Sequence, residues 1–239
     1  MVTSDPQATQ TNRRVLVTGG GSGIGQATCT VLAEHGWDVI AADTKPPTGG
    51  IALDVTDEAG WATTLKRTGP LAGLVCSAGI RTRSMIVDTS VEEFRRHLDV
   101  NVVGTWLAIR SLLRHHEPRT KAAIVTMASV NATIAVPGQA HYVASKGAIA
   151  SLTKAAALEG APMGVRANSI APGPIRTPMT AERLDDPAQV QWLTTRVALG
   201  RVGEPREIAD VVQFLLSSAS SYMTGEVLYV DGGWAANAV

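Results

Sequence analysis

The chain has 239 residues, 45% of them apolar, and its 21 basic and 21 acidic side chains balance to a formal charge of zero. That length and apolar content suit one large core, so a single α/β domain is expected rather than two. No basic block interleaves with aromatic residues, which argues against nucleic acid, and no apolar run reaches the roughly 18 residues a membrane-spanning helix needs.

Residues 1–12 are polar and lack an apolar leader core; a disordered tail is expected there, with the domain over 13–239 and the cytoplasm as its compartment. A strand is predicted over 14–18. It runs into Thr18-Gly19-Gly20-Gly21-Ser22-Gly23-Ile24-Gly25, which opens a helix over 23–35 ended by Gly36. Glycines between a strand and a helix let the backbone turn tightly and approach a phosphate, and the helix N-terminus supplies free amide donors. A Walker A loop would place Lys after the last glycine, but Gln26 stands there, and the spacing is G-x-x-x-G-x-G rather than G-x-G-x-x-G. Strand two, over 37–42, is followed by Asp43, whose carboxylate suits an adenosine ribose and repels a 2′-phosphate. Lys45 is the one nearby cation, and it tempers that exclusion. Only residues 44–49 lead to a short third strand over 50–53. That span, roughly 20 Å extended, leaves no room for the usual crossover helix, so the adenosine side is expected to be open.

A helix over 56–68 and a fourth strand over 71–77 follow. Ser90-Val91-Glu92-Glu93 reads as a capping box opening one long helix to about 116. Strand five is placed over 121–129, a helix over 141–160, strand six over 165–170, a helix over 205–217 and a last strand over 227–230. This alternation implies a parallel sheet with helices on both faces. Cys29 and Cys76 read as buried thiols, and His35, His97, His115, His116 and His141 as surface or helix-end residues; no metal site is expected.

Within the helix over 141–160, Tyr142-Val143-Ala144-Ser145-Lys146 places a phenol and an ammonium on one helical face. A neighbouring cation favours the phenolate, so Tyr142 is expected to have a lowered pKa suited to moving a proton to or from a hydroxyl.

Taken together, these motifs resemble the short-chain dehydrogenase/reductase family over about residues 13–234. The resemblance implies a single-domain Rossmann-type fold, a doubly wound parallel sheet with helices on both faces. It also implies hydride transfer between a secondary alcohol or ketone and a nicotinamide cofactor, NAD by preference given Asp43, with NADP possible. By the same resemblance Tyr142 is the acid-base group, Lys146 lowers its pKa and holds the nicotinamide ribose, Ser129 binds the substrate oxygen, and Asn101 fixes a water that relays protons past Lys146. The cofactor set is Gly19, Ser22, Gly23, Ile24, Gly25, Asp43, Asp54, Val55, Ser77, Ala78, Gly79, Tyr142, Lys146, Pro172, Ile175 and Thr177. Asp231-Gly232-Gly233 resembles a C-terminal family signature.

The family's usual Asn-Ala-Gly is here Ser77-Ala78-Gly79, which puts a strand-tying hydrogen bond in doubt. A lid is expected over 179–199, with Met179, Leu184 and Trp192 as apolar candidates and Arg183 and Arg196 read as solvated. Asn131, Ile134, Val136 and Gln139 are candidates to line a pocket for a small to medium, moderately polar alcohol or ketone. A homotetramer is implied by the resemblance. Two other readings stay open: an NADPH-dependent 3-oxoacyl thioester reductase and a non-catalytic dinucleotide sensor.

Overall fold

A computed structural model of the protein describes residues 13–117 and 120–236; the tail expected over 1–12 lies outside the described residues. Seven strands form one sheet: β1 (Arg14–Thr18), β2 (Asp38–Asp43), β3 (Ile51–Ala52), β4 (Gly73–Cys76), β5 (Ala122–Met127), β6 (Val165–Pro172) and β7 (Val227–Val230). Their order is β3-β2-β1-β4-β5-β6-β7 and every pair is parallel. The chain reverses its direction of travel across the sheet between β1 and β4. Such a switch point leaves a crevice beyond the carboxyl ends of the strands.

The central strands are apolar along their length because helices cover both faces. Successive side chains alternate between the two layers. Val15, Val17, Val75, Val125 and Ile170 pack with Leu32 of α1 (Gly23–Glu34) and with Ile208, Val212 and Leu215 of the helix Pro205–Leu216. On the other face, Leu16, Leu74, Ile124 and Ala167 pack with Trp61 of α2 (Glu58–Thr68), Leu107 and Leu112 of the helix Gly104–His115, and Ala156 of the helix Ala140–Gly160. Trp61 is 1% exposed, and its indole N–H donates to Val55 O at 2.9 Å, so a large apolar side chain is buried without an orphaned donor.

Three features depart from the sequence reading or sharpen it. The run expected as one helix over 90–116 divides into α3 (Val91–Leu98), a π-helical segment (Asp99–Val103) and α4 (Gly104–His115). Ser90 does cap α3, its hydroxyl accepting from Glu93 N at 3.1 Å. The reciprocal arm of the capping box is absent, because the Glu93 carboxylate accepts instead from the Thr82 hydroxyl. Residues 44–50 join β2 to β3 without a helix, as their number requires, and β3 pairs through only Ile51 and Ala52.

The remaining helices are α5 (Ala140–Gly160), α6 (Ala181–Leu184), α7 (Pro187–Thr194) and α8 (Pro205–Leu216). Here α6 and α7 occupy the stretch expected to form a lid. None of the described helices is long and apolar enough to cross a membrane.

Candidate active site

At the carboxyl end of β1 the glycine loop packs backbone against backbone. Gly25 is the tightest point: a Cβ there would lie 2.0 Å from Gly19 O. Gly19 has φ +68, and its Cβ would lie 2.7 Å from Ala78 N at the end of β4. Ser22 caps α1 without a side-chain hydrogen bond, and the first turn carries no acid, so the amides at this helix start are not engaged by a capping side chain. Asp43 turns back towards the loop. Its Oδ2 accepts from Gly21 N at 3.1 Å and its Oδ1 from Lys45 N at 3.0 Å.

Three side chains meet at the other end of the crevice. Ser129, just beyond β5, caps a 3-10 turn: its Oγ accepts from Asn131 N at 3.1 Å, which fixes the oxygen and leaves the proton free to donate. Tyr142, 9% exposed on α5, lines the same cavity wall as Ser129. Lys146, one turn on and 6% exposed, donates from Nζ to Met127 O at 2.7 Å and lies 5.5 Å from the Tyr142 ring centre.

Burial sets the titration of both groups. It lowers the Lys146 pKa to about 8. It raises that of Tyr142, against the opposing effects of the Ser129 hydrogen bond and the Arg81 charge. The expectation that Lys146 lowers the Tyr142 pKa is therefore corrected. The Lys146 head is committed to a main-chain carbonyl, and the cation acting on the phenol is Arg81.

Asn101 sits in the π-helical segment, fully buried. Its Oδ1 accepts from Ile80 N at 2.8 Å, and its Nδ2 donates to Ile80 O at 3.1 Å and Ser145 Oγ at 2.9 Å. An Asn amide has two N–H donors, and both are used. The side chain clamps the loop after β4 onto α5.

A cavity of about 560 Å³ connects the two ends. Every predicted cofactor and catalytic residue lines it except Asn101. Of the proposed pocket residues, Asn131, Val136, Gln139, Met179 and Leu184 line it, whereas Ile134 and Trp192 do not. Trp192 packs edge-on to Trp234 at 5.8 Å, with Arg196 stacked 4.1 Å from its ring centre.

The sequence matches, over residues 19–235, the family described as enoyl-(acyl carrier protein) reductase. A cyclopentanol dehydrogenase from a Comamonas species is 38% identical over 242 residues, covering 93% of this chain and 97% of that one. The ligand-free aldohexose dehydrogenase of Thermoplasma acidophilum superimposes with a TM-score of 0.87 at 33% identity, covering 95% of this chain and 96% of that one. A gluconate 5-dehydrogenase of Burkholderia cenocepacia, solved with NADP and tartrate, gives 0.89 at 31% identity over the same shares of the two chains. The chain belongs to the short-chain dehydrogenase/reductase family.

The residues present fit the nicotinamide dinucleotide of that family. The loop lies flat against its own backbone, where a Cβ at Gly19 or Gly25 would collide with Ala78 N or Gly19 O, beside the uncapped amides of α1; the Lys146 ammonium has three donors, of which Met127 O takes one. The departure at Ser77 is made good next door. Ser77 makes no side-chain hydrogen bond among the described residues, but the Thr18 hydroxyl donates to Val75 O at 3.4 Å and accepts from Ala78 N at 3.3 Å, tying β1 to the end of β4.

Two features of this family member escaped the sequence reading. His97 and His141 do stand at helix ends, in the last turn of α3 and the first of α5, but both are fully buried, with ring centres 4.1 Å apart. His97 Nδ1 donates to Glu93 O at 2.9 Å, so its Nε2 accepts from Thr82 N at 3.2 Å; His141 Nε2 then donates to Thr82 Oγ1 at 3.0 Å. These bonds hold the loop that carries Arg81. The second feature is Arg81 itself, which lines the cavity together with Arg183. The signal for Arg81 was its place, two residues beyond Ser77-Ala78-Gly79 and five beyond the carboxyl end of β4.

Proposed function

We propose that this protein is an NAD-preferring dehydrogenase of secondary alcohols, run in reverse as a ketone reductase. The observation that carries the reading is the floor of the cavity, which Ser129, Tyr142 and the anchored ammonium of Lys146 line together. The glycine loop and Lys146 would hold a nicotinamide cofactor, which would supply the hydride chemistry in either direction. Tyr142 takes the hydroxyl proton as hydride leaves the carbinol carbon, and returns it in reduction. Ser129 donates its free proton to the substrate oxygen and stabilises the charge that develops there. Lys146 would hold the nicotinamide ribose through the donors that Met127 leaves free, while the charge of Arg81 opposes the effect of burial on Tyr142. Asn101 acts as a positioning residue. With both amide donors committed, its side chain clamps the Gly79–Ile80 loop, and a relay water would be held by one of its oxygens rather than by an N–H.

Asp43 supports the choice of NAD. Its carboxylate is aimed at the glycine loop, where a 2′-phosphate would meet a like charge. Exposed apolar side chains on α3 and α4, among them Val91, Phe94 and Trp106, support assembly into a homotetramer, which light scattering at micromolar concentration tests. The cytoplasm is the compartment that fits a nicotinamide enzyme with free thiols at Cys29 and Cys76.

The test of the reaction is a panel of alcohols and ketones with both cofactors, followed at the nicotinamide absorbance. Turnover of secondary alcohols with NAD is expected. Cofactor binding without any turnover would favour a dinucleotide sensor, and faster reduction of 3-oxoacyl thioesters with NADPH would favour the thioester reductase.

A further inference from the structure

The cavity wall is electrostatically lopsided. Its carboxylates, Asp43 and Asp54, stand at the adenosine end, where β2 and β3 finish. Four cations line the same cavity: Lys146, whose ammonium is tied to Met127 O, Arg96 on α3, and, beside Tyr142 and the α6 segment, Arg81 and Arg183. Five ion pairs join other arginines to acids on the surface, and among the described residues none involves Arg81, Arg83 or Arg183. The chain as a whole is neutral, so this excess of positive charge is local.

Both guanidinium groups are held in place. Arg81 Nη2 donates to Met179 O at 3.2 Å, which links the loop after β4 to the start of the α6 segment. Arg183, on α6, stacks 4.8 Å from the Trp192 ring centre, and its Nε donates to Gln189 Oε1 at 3.3 Å. Both are half-buried. Burial and the charges of Arg83 and Arg81 lower the Arg183 pKa to about 10. Burial and Arg83 also act against the charge on Arg81, whereas the Tyr142 hydroxyl acts in its favour. Desolvating like charges side by side opposes folding and is relieved by an anion between them.

That anion is not the cofactor's pyrophosphate. The backbone cradle for phosphate lies at Gly19–Gly25, whereas Arg81 acts on the hydroxyl of Tyr142, at the end where the proton is exchanged.

We propose that the substrate is a hydroxy acid, or in reverse an oxo acid, whose anionic group is held between Arg81 and Arg183 while its carbinol faces Ser129 and Tyr142. The inference rests on the dehydrogenase reading and adds the substrate class. A guanidinium fork binds an oxyanion through paired, charge-assisted hydrogen bonds, which suits a carboxylate and also a phosphate monoester. The Asn131 and Gln139 side chains, joined by an Nδ2–Oε1 hydrogen bond of 3.1 Å, add neutral polar groups to the wall.

The experiment uses the whole enzyme with NAD. Its probes are hydroxy acids with the hydroxyl two to five bonds from the carboxylate, each beside its methyl ester and, as a third arm, a hydroxyalkyl phosphate. We expect kcat/KM for the best acid to exceed that for its ester by about 10- to 100-fold, the scale of a hydrogen bond to a charged group. That ratio should fall towards one in Arg81→Gln and Arg183→Gln and be partly restored in Arg183→Lys. If the phosphate outruns the acid, the anion is a phosphate and the site stands with that ligand. Calorimetry of the acid with the enzyme–NADH complex gives a second readout.

Outcomes for the two readings separate. Turnover of neutral alcohols with esters equal to or better than acids overturns the anion site and leaves the dehydrogenase. An acid preference that persists in both Gln variants also overturns it, because the anion is then held elsewhere. Acid binding that is lost in the variants, without turnover of any probe, overturns the dehydrogenase and leaves the anion site. Neither binding nor turnover overturns both.

Discussion

The two ends of the cavity are made of different material. The dinucleotide end is backbone: amides at the start of α1, carbonyls of the loop, and glycines whose missing Cβ atoms let Gly19, Gly25 and Ala78 touch. The substrate end is side chain: Ser129, Tyr142, Arg81 and Arg183 converge from four separate segments. A backbone cradle is specified by a few consecutive residues and tolerates almost no substitution. A side-chain wall is specified only by the fold and changes its preference one residue at a time.

The sharpest break of that contrast is Tyr142→Phe. It removes one oxygen and keeps the ring, so the fold and the cofactor affinity should survive while kcat falls by about 10²- to 10⁴-fold, the range for a positioned acid-base group. Retention of more than about a tenth of wild-type kcat, with chemistry rate-limiting, would sink the proposed mechanism. Cofactor choice comes next. Like-charge repulsion and the lost ribose hydrogen bond at Asp43 should favour NAD over NADP by roughly 2–4 kcal/mol, about 30- to 1000-fold in kcat/KM. Asp43→Ala should bring the two cofactors within about tenfold, and equal use of both by the wild type would show the inference wrong.

On the backbone side, Gly25→Ala would drive a methyl into Gly19 O at 2.0 Å. The loop must shift, at a cost of about 1–3 kcal/mol in urea unfolding and with cofactor affinity lost beyond that. Unchanged affinity in the variant would mean that the cradle is not the phosphate site.

The smallest effect is in the pH dependence of the cofactor-free fold. With the Lys146 pKa lowered to about 8 from 10.5, the unfolded chain binds the extra proton between those values, so the cost of the buried ammonium is full below pH 8 and is relieved above it. The stability of the wild type relative to Lys146→Met should rise by about 1 kcal/mol between pH 8 and 9. Cys29 and Cys76 titrate alike in both proteins and cancel, and the window stays below the ordinary range of Tyr142. A flat difference would place Lys146 in a wetter site than the structure shows.

Much of the dinucleotide end was legible because its information is local. The strand, the glycines, the helix start and Asp43 follow one another within about thirty residues, and the short link over 44–49 could be counted. Tyr142 and Lys146 were legible for the same reason, being one helical turn apart. Most of what stayed hidden depends on partners distant in sequence. The extra residue of the π-helical turn that aims Asn101 inward leaves no mark on the apolar pattern of residues 90–116. His97 and His141 each look like a surface histidine until the loop at Thr82 is laid between them. The direction of the Tyr142 shift was misread because helical spacing shows which groups are neighbours, not which are buried, and the charge that reaches the phenol comes from Arg81. Arg183 was seen and set aside as solvated; its partner Trp192 is only nine residues away, but the turn between α6 and α7 that folds the ring onto the guanidinium has no mark in the spacing.

The short link between β2 and β3 bears on how copies of this chain can meet. An edge strand with unpaired amides and carbonyls is a template on which another chain can add a strand. At this border the template is β3, whose two residues, Ile51 and Ala52, offer too little length for a lasting ladder. The opposite border is β7, four residues long and partly exposed. Growth of the sheet from molecule to molecule is thus stopped on one side by sheer brevity. Any assembly must close through helix faces or through the β7 side, which favours finite particles over open-ended fibres.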